Sequence, residues 1–198
     1  EDKDVLKEYL MSRTQDLSTD VLVAVSNIIQ DVKNNKDEAC LKYTREFDHV
    51  LLDTMEVTKE ELDIQISKCD KDFVEAMKLA KQNIEDFHKL QRQNGYLLQK
   101  EMGIYLGQRV LPLEAVGIYV PGGRAQYPSS VLMNALPAKI AGVKNVVMVT
   151  PPDSEGTIHP NIAYAARLAG VDKIYKIGGA QAIAALAYGT QTIDRVDK

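Results

Sequence analysis

Apolar positions along this chain follow two different periods, and the change between them falls near residue 110. Before it the spacing is helical. Leu22, Val25, Ile28, Ile29 and Val32 repeat every three or four residues, with Ser18 to Asp20 offering an N-cap. Ala39, Cys40, Tyr43 and Phe47 share one face of a short helix over residues 37–47. Thr58-Lys-Glu-Glu61 has capping-box spacing and opens a third helix. Phe73, Met77, Ala80, Ile84 and Phe87 mark the longest, over residues 70–93, with Asn94-Gly95 as its stop. At the usual rise it spans on the order of 36 Å, and a stripe of that length needs a helix or a second subunit to pack on. Residues 101–113 read as extended, with Gly103 and Gly107 as turn signals, a joint leading from helices to sheet.

After residue 110 the period shortens. Three β-rich apolar segments, 115–120, 145–150 and 173–177, alternate with helical patterns over 127–142 and 160–170, and Gly178-Gly179 then opens an Ala-rich helix closed by Gly189. Strands and helices alternating in this way predict right-handed crossovers and a parallel sheet. Val146-Val-Met-Val149 is continuously apolar, as a strand covered on both faces should be. Pro128 suits the first turn of its helix, whereas Pro137 should kink or split it. The expected class is α/β, with a helical region over 1–102 and a βαβαβα unit over 103–198.

Composition sharpens the division. All seven prolines and nine of the twelve glycines follow residue 110, as the turns of an α/β unit require. The net charge of −4 gives no electrostatic footprint for nucleic acid or an anionic membrane. No apolar run approaches the roughly 18 residues of a membrane span, and the first residues do not resemble a secretory signal. Cys40 and Cys69 lie far apart, without C-x-x-C spacing. A reduced, cytoplasmic protein is expected.

The chemistry should sit where strands end. Val120-Pro-Gly-Gly123, Thr150-Pro-Pro152 and Gly178-Gly179 all open on the carboxyl edge of the sheet, where ligands bind in open α/β folds. Backbone donors there suit a phosphate or a ribose, although G-x-G-x-x-G is absent; the same glycines also serve tight turns. Two side chains on this edge are open to two readings. Tyr119 either packs in the core or turns its ring or hydroxyl to a ligand, and Gln181 either faces the edge or caps its own helix. His49 and His88 lack metal-ligand spacing, and His159 marks a helix boundary. Glu60-Glu61 and Glu85-Asp86 read as solvated helix faces.

Longer strings carry a resemblance. Val116-Gly-Ile-Tyr-Val-Pro-Gly-Gly123, Pro128-Ser-Ser-Val-Leu-Met-Asn-Ala135, Ala141-Gly-Val-Lys144, Val147-Met-Val-Thr-Pro-Pro152 and the Gly178 to Thr190 segment resemble the histidinol dehydrogenases. The likeness reaches back through Leu106-Gly-Gln-Arg-Val110, Phe87-His88 and Tyr43-Thr-Arg-Glu-Phe-Asp48. It implies an incomplete Rossmann-like unit of aldehyde-dehydrogenase-like architecture. The implied activity is NAD-dependent oxidation of L-histidinol to L-histidine in two hydride transfers, with a zinc ion and a homodimer. It also implies that Tyr119 and Gln181 contact NAD. The family is roughly double this length, and its zinc ligands, substrate-binding residues and catalytic Glu-His pair match nothing here. The expectation is therefore an N-terminal portion, inactive alone, with an open sheet edge that favours association. Two other readings compete: the NAD(P)-binding unit of another aldehyde-dehydrogenase-like enzyme, which would need a cysteine at the ligand edge, and a stand-alone nucleotide-binding or assembly module.

Overall fold

In the computed structural model, residues 2–12, 19–122 and 126–198 are described. Ser18 of the expected N-cap, and Gly123 of the first edge loop, lie outside them. The helical half comprises α1 (Asp2–Ser12), α2 (Thr19–Phe47), α3 (Lys59–Ser67) and α4 (Lys71–Lys89). A hairpin of β1 (Tyr96–Glu101) and β2 (Ile104–Gln108) follows. Then come β3 (Ala115–Tyr119), α5 (Pro128–Ala141), β4 (Asn145–Thr150), α6 (Pro160–Ala169), β5 (Lys173–Lys176) and α7 (Gly179–Tyr188). The class is α/β with a parallel sheet, as expected.

The sheet runs in the order β3-β4-β5, all parallel, in register from Ala115 opposite Asn145 to Thr150 opposite Lys176. Strand alternation sorts its side chains onto two faces. Ile118, Val120, Val146, Met148 and Ile174 join Val131, Leu132, Ile162 and Ala166 of α5 and α6, with α3 and α4 packed behind. On the other face Val147, Val149, Tyr175 and Ile177 meet Val32, Ala39 and Cys40 of α2 and Ala182, Ala185 and Leu186 of α7. Each fully buried aliphatic side chain here contributes about 1.5–3 kcal/mol. Helices α2, α3 and α4 of the first half are thus outer layers of the second half's sheet.

Both outer edges of the sheet are occupied. Lys176 N–H donates to Met55 O (2.7 Å) and Val57 N–H to Ile174 O (2.9 Å), which covers β5. Beside β3, Asp197 N–H donates to Ala115 O (2.9 Å) and Gly117 N–H to Lys198 O (2.8 Å). The Asp197 carboxylate also accepts from the Glu114 and Ala115 amides, each at 3.0 Å. The expected open edge is therefore partly filled by residues 197–198.

Several elements depart from the sequence expectations. α2 breaks at Lys36 (φ 53°, ψ −124°), which preserves the two expected helices around a bend. α4 stops at Lys89, where Leu90 N–H bonds the carbonyls of Phe87 and His88; its 19 residues span about 28 Å. Asn94-Gly95 leads into a strand instead, because Tyr96, Leu97 and Leu98 pair with Gln108, Gly107 and Leu106. Gly107 therefore lies within a strand, and Gly103 alone takes the positive φ (85°) at the tip. Phe87 and Phe47 leave their stripes and are exposed, Phe87 meeting His88 edge to face and Phe47 stacking on Tyr43. Pro137 neither splits nor ends α5, since the carbonyl deprived of its amide partner belongs to the exposed Met133, which solvent can reach. Thr58 Oγ1 caps α3 by accepting from Glu61 N–H (3.1 Å), as its spacing predicts. None of the described helices is long and apolar enough to cross a membrane.

Candidate functional site

The carboxyl ends of β3, β4 and β5 bring the three conspicuous loops onto one edge, as parallel strands must. The polypeptide leaves β3 through Val120-Pro121-Gly122, leaves β4 through Pro151-Pro152, and enters α7 through Gly178-Gly179. Tyr119 and Gln181 meet here. Tyr119 is half-buried, its ring packed against the α2/α7 core, and its hydroxyl accepts from Gly179 N–H at 3.2 Å. The ring thus takes the packing role of the first reading, and the hydroxyl is engaged by the start of α7.

Gln181 has a different environment. It is 1% exposed, and its Oε1 is buried with no hydrogen-bond partner. It does not cap its helix: α7 starts from Gly178 without a side-chain cap. An uncompensated buried amide oxygen costs about 1–3 kcal/mol. The first turn of α7 therefore combines an amide taken by the Tyr119 hydroxyl, a start without a cap from its own N-cap residue, and a buried carboxamide oxygen without a partner.

The β4 loop closes on itself. Asp153 accepts from the Glu155 and Thr157 amides (3.0 and 2.9 Å) and from Thr157 Oγ1 (2.8 Å). Its carboxylate is consumed in holding the turn. Next to it, β5 ends on a polar group that the sequence does not advertise. Lys176 is buried, with Nζ 3.0 Å from Glu61 Oε2 of α3. Glu61 is thus a partner to a buried lysine and not a solvated face. A lysine within the apolar Lys173 to Ile177 strand was the one available signal.

Other titratable groups lie away from this edge. Burial pushes the Cys40 thiol up to about 12, helped by Asp37 and Asp31, and also raises Cys69, whose Sγ donates to Pro160 O (3.2 Å). Neither thiol is a ready nucleophile, which removes the residue that a thiolate mechanism requires. His159 caps α6, with Nδ1 accepting from Asn161 N–H (3.2 Å). His88 Nδ1 meets Gln91 Oε1 at 2.7 Å. A cavity of about 540 Å³ lies at the opposite, amino edge of the sheet, between Glu114, Asn145, Lys173 and Asp197. Among the described residues, no three His, Cys, Asp or Glu side chains are grouped to hold a metal ion.

Comparison with known proteins gives a consistent result. A family model described as histidinol dehydrogenase matches residues 11–198. Histidinol dehydrogenase from Clostridium acetobutylicum is 55% identical over 191 residues, covering 96% of this chain and 44% of that protein. Its counterpart from Listeria innocua is 50% identical over 194 residues, covering 98% and 45%. The crystal structure of histidinol dehydrogenase from Elizabethkingia anophelis superposes with a TM-score of 0.87 at 39% identity, over 92% of this chain and 42% of that one. The chain thus spans less than half the length of these relatives. With matched positions running through both sheet layers and all three edge loops, the chain belongs to the histidinol dehydrogenase family.

Proposed function

We propose that this chain forms the cofactor side of a cytoplasmic, homodimeric enzyme that oxidises L-histidinol to L-histidine with NAD in two hydride transfers. The observation that carries the reading is the buried, unpaired Gln181 Oε1 in the first turn of α7, whose first amide the Tyr119 hydroxyl holds. NAD supplies the hydride acceptor when bound. The chain's own residues would bind and orient it. Gln181 would accept from a ribose hydroxyl, the first α7 amides would donate to an anionic oxygen, and Tyr119 would border the ring or hydroxyls.

The sheet supports a Rossmann-like, aldehyde-dehydrogenase-like reading. α5 and α6 cover one face, and α7 returns along the other to bring residues 197–198 beside β3. The carboxyl end of β3, at Tyr119, is on this reading the topological switch point where such folds take dinucleotides. On this reading residues 1–102 are scaffold and 103–198 the ligand-binding unit. The described residues do not fit zinc, so the zinc and the acid–base residues are assigned to no position of this chain, which alone should not turn over.

Two measurements test the reading. L-Histidinol-dependent NADH formation by the full-length enzyme should be lost with a zinc chelator. Tyr119→Ala combined with Gln181→Ala should weaken NAD binding at least about tenfold, the equivalent of one good hydrogen bond. Equal affinity in wild type and double variant would remove both residues from the site.

A further inference from the structure

Two edge glycines have no conformational reason to be glycine. Gly178 lies at φ −120°, ψ −167°, extended backbone that any residue adopts, and Gly122 is not among the positive-φ residues. Space is the constraint, and in both cases the neighbour is Pro151. A Cβ on Gly178 would lie 2.5 Å from Pro151 Cγ, 3.1 Å from its Cβ and 3.4 Å from its Cδ. A Cβ on Gly122 would lie 3.3 Å from Pro151 O and 3.4 Å from its Cδ. The proline ring cannot rotate away, because its φ is locked. The Tyr119 hydroxyl then ties the third element, through Gly179 N–H at 3.2 Å, to the same cluster.

Resting on the proposed NAD reading, we infer that Pro151 is a positioning residue: the turns at Gly122 and Gly178 both seat on its ring, which fixes where Tyr119 and the start of α7 present themselves to the cofactor. Pro151 acts through the two turns. Enlarging position 178 drives α7 away from β4 and lengthens the Tyr119 to Gly179 hydrogen bond. Shrinking the seat makes room again.

The test is a double-variant cycle in the full-length enzyme. Gly178→Ala should raise KM for NAD about tenfold, while kcat and the KM for L-histidinol stay within about twofold. Adding Pro151→Ala, which removes Cγ and Cδ, should bring the NAD KM back to within about threefold of wild type. A double variant no better than Gly178→Ala overturns the inference, as does a Gly178→Ala enzyme with wild-type NAD kinetics. Amide hydrogen exchange at Gly179 gives a readout that needs no NAD: faster in Gly178→Ala and slowed again in the double variant. Should the wild type prove independent of NAD, the functional reading fails, and this exchange pattern alone upholds the seat if present or refutes it if absent.

Discussion

The buried pair of Lys176 and Glu61 allows a quantitative test of how this fold tolerates charge. The two side chains are 8% and 19% exposed, their charged atoms are 3.0 Å apart, and Glu61 Oε1 is buried without a partner. At an effective dielectric constant of about 20, the attraction at that distance is about 5–6 kcal/mol. Desolvation costs several kcal/mol per ion, so the pair should contribute little net stability while each half depends strongly on the other. Glu61→Leu leaves a nearly buried ammonium alone and should cost about 3 kcal/mol. Lys176→Met leaves a carboxylate with some solvent access and should cost about 2 kcal/mol. The double variant puts two apolar side chains together and should lie within about 1 kcal/mol of wild type, a coupling near 4 kcal/mol. Urea unfolding reads this directly: with m about 2 kcal/mol/M, Glu61→Leu lowers the midpoint by about 1.5 M. A double variant losing about 5 kcal/mol, the plain sum, would show that the two charges are independent and would refute the reasoning.

Three further outcomes are expected. Gly117→Ala places a Cβ 2.8 Å from Leu186 Cδ1, so it should destabilise by about 1–3 kcal/mol through overpacking between β3 and α7; in Leu186→Ala, where that Cδ1 is gone, the added cost should vanish in urea unfolding. Lys36 adopts a backbone conformation suited to glycine while its Nζ donates to Gly189 O at 3.0 Å; Lys36→Gly should therefore be about 1 kcal/mol more stable than Lys36→Ala, and equal melting would contradict the strain. The Cys40 thiol is held at about 12 against an ordinary 9.0, so the unfolded chain loses its proton first. Stability from this group is complete below pH 9 and falls by up to about 1.4 kcal/mol per pH unit as pH rises towards 12; Cys40→Ala should flatten that part of the pH–stability curve, and an unchanged slope would sink the assignment.

What the sequence disclosed follows from where the information resides. Val146 to Val149 read as a covered strand because both faces of the sheet are buried, so local composition and tertiary environment agree. Tyr96 to Leu98 did not, because their apolar side chains are exposed in a hairpin and carry no inside–outside contrast. Phe87 misled for the same reason: it is an apolar residue in the last turn of α4 whose side chain is exposed. At the candidate site, the position of Tyr119 was legible from strand direction, whereas its partner Gly179 lies sixty residues on and has no local signature. The Glu61 and Lys176 pairing, across 115 residues, was equally invisible. The glycines at 122 and 178 were conspicuous, but the neighbour that crowds both is Pro151, in the loop after β4.

The stitching of residues 197–198 to β3 has a consequence in time. Asp197 bonds the Glu114 amide across 83 residues, so the first strand of the sheet to be synthesised is the last to have its outer edge paired. At about 5–20 residues per second, translation leaves that edge exposed for about 4–17 s after β3 emerges. During that interval the Gly117 amide and the Ala115 carbonyl are open to any other extended segment. The nascent chain is therefore most vulnerable to mispairing at the strand that carries Tyr119, and slowing elongation between residues 120 and 195 should lower the yield of folded protein more than slowing it earlier.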